Sequence, residues 1–182
     1  MKYDVSICLP AHRTRLWERL YYTALEAVGP EYTWEMVLVG PNDPPPVLAA
    51  KKNFKFFKDY GSPTRSAQIS TMLAEGELMM WASDDGFFLK DSIKECVDMH
   101  KTLPYKDIVI VKYSEGRHHS GRCHADNYWT AWTHESLRLE GIPKDYMITL
   151  LGMYKLKYFR ELGGFDCRFE HLNMNTHDLA FR

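Results

Sequence analysis

The stretch Leu78-Met79-Met80-Trp81-Ala82-Ser83-Asp84-Asp85-Gly86 decides how the rest of the chain is read. Its apolar run does not alternate, as expected of a strand buried on both faces of a sheet. The run ends abruptly in two adjacent carboxylates and a glycine. In open α/β sheets, ligands bind beyond the carboxyl ends of such strands. Two aspartates there can ligate a hard divalent cation, and the cation can carry a diphosphate. Asp and Gly also build ordinary surface turns, so the flanking sequence has to decide between the two readings.

Upstream, Val5-Ser6-Ile7-Cys8-Leu9 is a short apolar run stopped by Pro10, which predicts a buried first strand with Ala11-His12-Arg13 in the loop beyond it. Leu16, Trp17, Leu20, Tyr21, Ala24 and Val28 recur at helical spacing, with Thr14 as the expected N-cap and Gly29-Pro30 as the stop. Trp34 to Val39 is a second strand, closed by the proline-rich loop Gly40-Pro41-Asn42-Asp43-Pro44-Pro45-Pro46. Strand, helix and strand in this order form a βαβ unit, so the two strands are expected to be parallel. Phe54 to Phe57 is a third strand candidate. Ser62-Pro63 reads as an N-cap with proline at the first helical position. The helix that follows is expected to pack through Ala67, Ser70, Leu73 and Ala74, with Ile69 and Met72 alongside, and to end at Gly76.

Downstream, Ser92-Ile93-Lys94-Glu95 has the form of a capping box and predicts a helix carrying Ile93, Cys96, Val97 and His100. Ile108 to Val111 is a further strand. Periodicity fails from Ser114 to Pro143, a segment rich in His, Trp, Arg and Gly; loops this long in compact domains are usually functional. Regular structure resumes with Met147 to Leu151 and a helix near Lys155 to Leu162, capped by Gly163-Gly164.

The composition bounds the class. The 182 residues are 45% hydrophobic and 26% charged, which is globular and not disordered. Lys plus Arg is 23 and Asp plus Glu is 24, a net charge of −1, so a nucleic-acid footprint is not indicated. Lys51-Lys52-Asn53-Phe54-Lys55 reads as a solvated loop edge. Cys8, Cys96, Cys123 and Cys167 are widely spaced and indicate neither a zinc ribbon nor a disulfide scaffold; Cys8 and Cys96 read as core residues. The N-terminus lacks the pattern of a signal peptide, and no apolar run reaches the roughly 20 residues of a membrane span. A cytoplasmic protein is the expectation.

The order of pieces resembles the nucleotide-sugar-dependent glycosyltransferases of the GT-A fold, especially family 2. The carriers are Val5 to Pro10 with its helix, Ala74-Glu75-Gly76-Glu77 before Leu78 to Asp85, Gly163-Gly164-Phe165-Asp166 after a helix, and His177-Asp178-Leu179. The resemblance runs from Val5 to Arg182 and implies an α/β fold: a single GT-A domain over residues 1–182, a Rossmann-like αβα sandwich with a mostly parallel sheet. Three departures stand out. Ser83 replaces the first of three common aspartates. Gly40-Pro41-Asn42-Asp43 replaces the usual Asp-Asp-Gly-Ser, and His177-Asp178 replaces Glu-Asp. The chain stops four residues after Asp178, where family members continue. It is either a minimal version or lacks a C-terminal extension.

What the resemblance implies is transfer of a sugar from a nucleoside-diphosphate donor to a carbohydrate or other hydroxyl acceptor, with inversion. Mn2+ or Mg2+ would be held by Asp85, with Asp84 assisting or meeting the ribose. Asp178 is the implied base and Asp166 the reserve, although Asp166 also reads as a turn residue. Pro10, His12, Arg13, Asn42, Asp43, Arg65 and Asp84 are the implied donor-binding residues. His118, His119, Cys123 and His124 fit no common structural zinc spacing. Tyr128, Trp129 and Trp132 are candidates for stacking on an acceptor sugar, or simply for filling a core. Two alternatives remain open: a non-catalytic nucleotide or carbohydrate binding module on a degenerate GT-A fold, and a sugar nucleotidyltransferase. The second is disfavoured because no glycine-rich, arginine-containing loop follows the first strand.

Overall fold

The computed structural model describes residues 2–111, 131–133, 147–149 and 151–166, with the backbone alone for 131–133 and 147–149. In chain order the elements are β1 (Tyr3–Pro10), a 3-10 turn (Thr14–Leu16), α1 (Trp17–Val28), β2 (Trp34–Gly40), α2 (Pro46–Ala49), β3 (Phe54–Lys58), α3 (Pro63–Leu73) and β4 (Gly76–Trp81). Then come α4 (Ser92–His100), β5 (Val109–Ile110), β6 (Ala131–Thr133), β7 (Met147–Thr149), β8 (Gly152–Lys155) and α5 (Leu156–Glu161).

The main sheet has the order β3-β2-β1-β4-β8-β5. Strands β1 to β4 are mutually parallel, and β8 runs antiparallel to both β4 and β5. The pair β6-β7 forms a separate antiparallel ribbon. The continuous apolar runs read from the sequence are buried on both faces. Val5, Ile7, Leu9, Leu78 and Met80 face a core shared with Trp17, Leu20, Tyr21 and Ala24 of α1 and Ile93 and Val97 of α4. Cys8, Met79 and Trp81 face the opposite core, with Ala67 of α3, Leu156 and Phe159 of α5, and Phe165. The result is a three-layer αβα sandwich, as the α/β expectation required. Burial pushes the Cys8 thiol upward and the Cys96 thiol to about 11, so both stay protonated as small core groups.

Backbone approaches fix the strands at both ends. A Cβ on Gly40 would lie 1.7 Å from the carbonyl oxygen of Ala11, so only glycine lets β2 close against the loop after β1. At the opposite end of the sheet Glu35 is fully buried. Its Oε1 accepts from the Ser6 hydroxyl (2.6 Å) and the Glu75 N–H (2.5 Å), and its Oε2 pairs with Lys55 at 2.8 Å. The Ser6 hydroxyl in turn accepts from the Gly76 N–H at 2.8 Å. Burial works against the charge on Lys55, but hydrogen bonds with Glu35 and Glu75 outweigh it and hold the ammonium above the ordinary lysine range. Lys55 is therefore the partner of a buried carboxylate, and the basic run is a solvated edge only in part.

Local expectations also change. Thr14 opens the 3-10 turn, and α1 starts later, at Trp17, without a side-chain cap. The predicted capping box does not form. Asp91 occupies the cap position with φ 62°, and the Ser92 hydroxyl instead donates to the Leu89 carbonyl at 2.7 Å. The buried face of α3 is Thr64, Ser66, Ala67, Ser70 and Thr71, while Leu73 and Met72 are exposed. Small side chains let α3 lie close on β1 and β2, which overrides the apolar pattern. Ser62 does cap α3, accepting from the Arg65 N–H at 3.2 Å. Arg160 of α5 satisfies the other end, donating to the carbonyls of Thr71, Met72 and Ala74. The Gly163-Gly164 cap forms with φ of 95° and 71°. Among the described residues no helix is long and apolar enough to cross a membrane.

Two predictions test this account. Gly40→Ala should lower stability by on the order of 2 kcal/mol or more in urea unfolding, because the clash is with backbone. An unchanged midpoint would refute the close-approach argument. His100 is 1% exposed and neither ring nitrogen has a hydrogen-bond partner. Burial holds its pKa below the ordinary histidine range. The unfolded chain therefore binds the proton more readily, so this contribution to stability is present above pH of about 6.5 and is lost as the pH falls. His100→Gln should flatten the fall in unfolding free energy between about pH 7 and pH 5 relative to the parent chain.

Candidate active site

Strands β1 and β4 lie side by side in parallel, with Cys8 level with Trp81, and the Ala82 N–H donates to the Cys8 carbonyl at 3.3 Å. The loops after both strands therefore leave the sheet together at its carboxyl edge. Asp84 turns inward and is only 3% exposed. Its Oδ2 accepts from the backbone N–H groups of His12 and Arg13, both at 2.5 Å, and from the Trp17 indole at 3.4 Å. Its Oδ1 takes the Arg13 guanidinium Nη1 at 2.5 Å. The bonds from the two backbone N–H groups and the guanidinium are short and charge-assisted, the stronger kind, and the indole contact is the long, weak one.

Asp85, the next residue, turns outward, with its side chain 48% exposed. The Ser83 hydroxyl donates to its Oδ1 at 2.5 Å, and the same Arg13 Nη1 lies 3.3 Å from its Oδ2. Arg19 of α1 donates to the Asp85 carbonyl at 3.0 Å and lies over the Phe87 ring, 5.3 Å from its centroid. Among the described residues no group of three or more His, Cys, Asp or Glu side chains is gathered to hold a metal.

The other candidates fall along the same edge. Pro10 ends β1 opposite Val39 of β2. Asn42, in the loop after β2, donates its amide to the His12 carbonyl at 2.8 Å. Asp43 is exposed and pairs with Lys58 at 2.9 Å. Beyond β3, the buried Asp59 accepts from the Gly61 N–H at 2.9 Å and pairs with Arg65 at 3.0 Å. Arg65 sits in the first turn of α3 and is half exposed. Phe165 packs on Trp81 with ring centroids 4.8 Å apart, and its N–H donates to Gln68 at 2.8 Å. Asp166 follows it and is buried.

Direct contacts thus unite His12, Arg13, Asn42, Asp84 and Asp85. Asp43 and Arg65 lie at the neighbouring ends of β2 and β3, and Asp166 follows a ring packed at a tilt on the last residue of β4. Asp178, His118, His119, Cys123, His124, Tyr128 and Trp129 lie outside the described residues, as does the side chain of Trp132. Sequence reasoning overlooked Ser83 as a hydrogen-bond donor, the Trp17 indole, Arg19 and Asp59. Of these, the hydroxyl two residues before Asp85 had a legible signal, because serine readily bonds to a polar group two positions on.

Asp84→Ala should strand two loop N–H groups and the Arg13 guanidinium, and should cost roughly 2–3 kcal/mol in urea unfolding. A variant as stable as the parent would show that the loops hold without it.

No protein-family model matches this chain, and no curated protein matches it in sequence. Solved structures do match. S. aureus TarS 1-349 in complex with UDP aligns over 92% of this chain and 51% of its own, at TM-score 0.63 and 17% identity. The complex of TarS 1-349 with UDP-GlcNAc gives 87% and 47%, at 0.57 and 18%. S. aureus TarS gives 98% and 36%, at 0.60 and 15%. The chain spans about half or less of the length of these proteins. At such identities the likeness is one of fold, and the fold of this chain is that of the GT-A glycosyltransferases.

Proposed function

We propose that this chain is a GT-A domain that transfers a sugar from a nucleoside-diphosphate donor to an acceptor hydroxyl with the help of a divalent cation. The observation that carries the reading is the divergence of Asp84 and Asp85 at the carboxyl edge of the parallel sheet. One aspartate is consumed in tying loops together, and the other faces outward. The UDP and UDP-GlcNAc complexes of the structural neighbours support a nucleotide-sugar donor.

The donor set suits Mn2+ or Mg2+. Such hard cations take oxygen ligands and are commonly held by one or two carboxylates together with substrate phosphates and water. Asp85 would supply the protein carboxylate. Asp84, with donors on both oxygens, acts on the site by setting the His12-Arg13 loop. When bound, the cation would offset charge gained by the departing diphosphate. Arg13 and Arg65 add positive charge on that side, and His12, Asn42 and Asp43 line the expected region of base and ribose. The acceptor oxygen attacks the anomeric carbon as the bond to the diphosphate breaks. Asp178 would take the acceptor proton, with Asp166 in reserve, and a single displacement inverts the anomeric centre.

A second reading has one specific observation in its favour: both oxygens of Asp85 are engaged, by Ser83 and by Arg13. On that reading the chain binds a nucleotide or carbohydrate without turnover. Incubation with UDP-GlcNAc and Mn2+ separates the two. Turnover or donor hydrolysis that disappears in Asp85→Ala, with stability within about 0.5 kcal/mol of the parent, is the expected result. Full activity in Asp85→Ala would overturn the catalytic assignment. Nucleotide binding with no turnover would favour the module.

A further inference from the structure

One contact at this edge has no role in the reading so far: the guanidinium of Arg13 bridges the two aspartates. A single nitrogen, Nη1, lies 2.5 Å from Asp84 Oδ1 and 3.3 Å from Asp85 Oδ2. The two contacts are unequal in kind. Asp84 is buried and also holds the Arg13 backbone N–H, so Arg13 is fastened to it twice. Asp85 is half exposed, and its contact with Arg13 is the longer one, in water, where such a pair is weak. Asp85 Oδ1 is meanwhile held by Ser83. Oδ2 is therefore the oxygen that a hard cation would need, and Arg13 covers it.

We infer that Arg13 is a resident counter-cation of Asp85, competing with the divalent metal for Oδ2 while remaining anchored to Asp84. The inference rests on the proposed placement of the metal at Asp85. Arg13 gives up its weak contact when a divalent cation takes Oδ2, and keeps its strong one. It is then held in place beside the site by Asp84, free to donate to the diphosphate. One side chain accordingly weakens metal binding before the donor arrives and strengthens donor binding after it. The metal would be taken up mainly together with the nucleotide.

The test uses the full chain and measures Mn2+ alone by water-proton relaxation, then UDP in the presence of saturating Mn2+ by calorimetry. Arg13→Gln removes the bridge but leaves the backbone N–H bonds to Asp84. Arg15→Gln is the matched control, since it removes the same charge from an exposed residue of the same loop. Arg13→Gln should bind Mn2+ alone roughly threefold more tightly than the parent, in keeping with release of an exposed ion pair, and should bind UDP more weakly. Arg15→Gln should not tighten Mn2+ to the same degree. Equal tightening in both variants would mean a general charge effect and would overturn the inference, as would no tightening in Arg13→Gln. Asp85→Asn separates the two levels of the argument. If it leaves Mn2+ binding intact, the metal placement itself fails; if it abolishes binding while Arg13→Gln changes nothing, only the Arg13 inference fails. A measurement on the unaltered chain guards against misfolding: Mg2+ should shift the guanidinium NMR signals of Arg13 and leave those of Arg15 in place. Unmoved Arg13 signals under saturating Mg2+ would refute the competition.

Discussion

The carboxyl edge of this molecule depends on one buried carboxylate. Asp84 draws two backbone N–H groups, an indole and a guanidinium from the β1 loop onto the end of β4. Loops carry few apolar contacts of their own, so their positions rest on such polar ties. Without Asp84 the loop after β1 would keep only the longer Arg13–Asp85 contact and the Arg19 bond to the Asp85 carbonyl as polar side-chain ties to the loop after β4. With it, His12, Arg13 and Asp85 are held in one place, and Asn42 extends the arrangement to β2 through the His12 carbonyl. A buried charge is costly unless its hydrogen bonds are complete. Here they are, which makes the arrangement both stable and specific.

The opposite end of the sheet repeats the device with different residues. Glu35 is fully buried and joins Ser6, Lys55 and Glu75 across β1, β2, β3 and the start of β4. The two carboxylates clamp the parallel strands at their two ends, and the apolar faces fill the space between. Gly40 belongs to the same logic, since it removes the side chain that would hold β2 away from the β1 loop. The parallel core can thus be packed on both faces while Ser6 and Glu35, the polar side chains buried within β1 and β2, keep partners.

The fold was largely legible in the sequence. Continuous apolar runs at Val5 to Leu9, Trp34 to Val39 and Leu78 to Ala82 predict doubly covered strands, and all three are buried as expected. The candidate site was legible in part. Asp84-Asp85 could be singled out, but nothing in the order of letters distinguishes the two. Helix details were less legible: Thr14 and Ser92 have cap chemistry without occupying cap positions, and α3 buries Ala67 and Ser70 as its spacing predicts but adds Thr64, Ser66 and Thr71 in place of Leu73 and Met72. In each case the competing influence was tertiary. How close a helix lies to the sheet decides which of its faces is small enough to be buried.

The sequence by itself determined the strand order of events: a βαβ start, an apolar strand ending in acid, glycines at the tight places and a Gly-Gly turn after the last described helix. These follow from local rules of periodicity and backbone freedom, which a single chain carries in full. Tertiary structure alone decided the division of labour between neighbours. Asp84 and Asp85 have the same side chain, and the turn after β4 buries one against the His12-Arg13 loop and leaves the other half exposed. The same is true of Lys55, which became the partner of a buried glutamate because β2 and β3 pair in one register. Roles of this kind depend on distances between residues far apart in the chain, and those distances exist only once the sheet has formed.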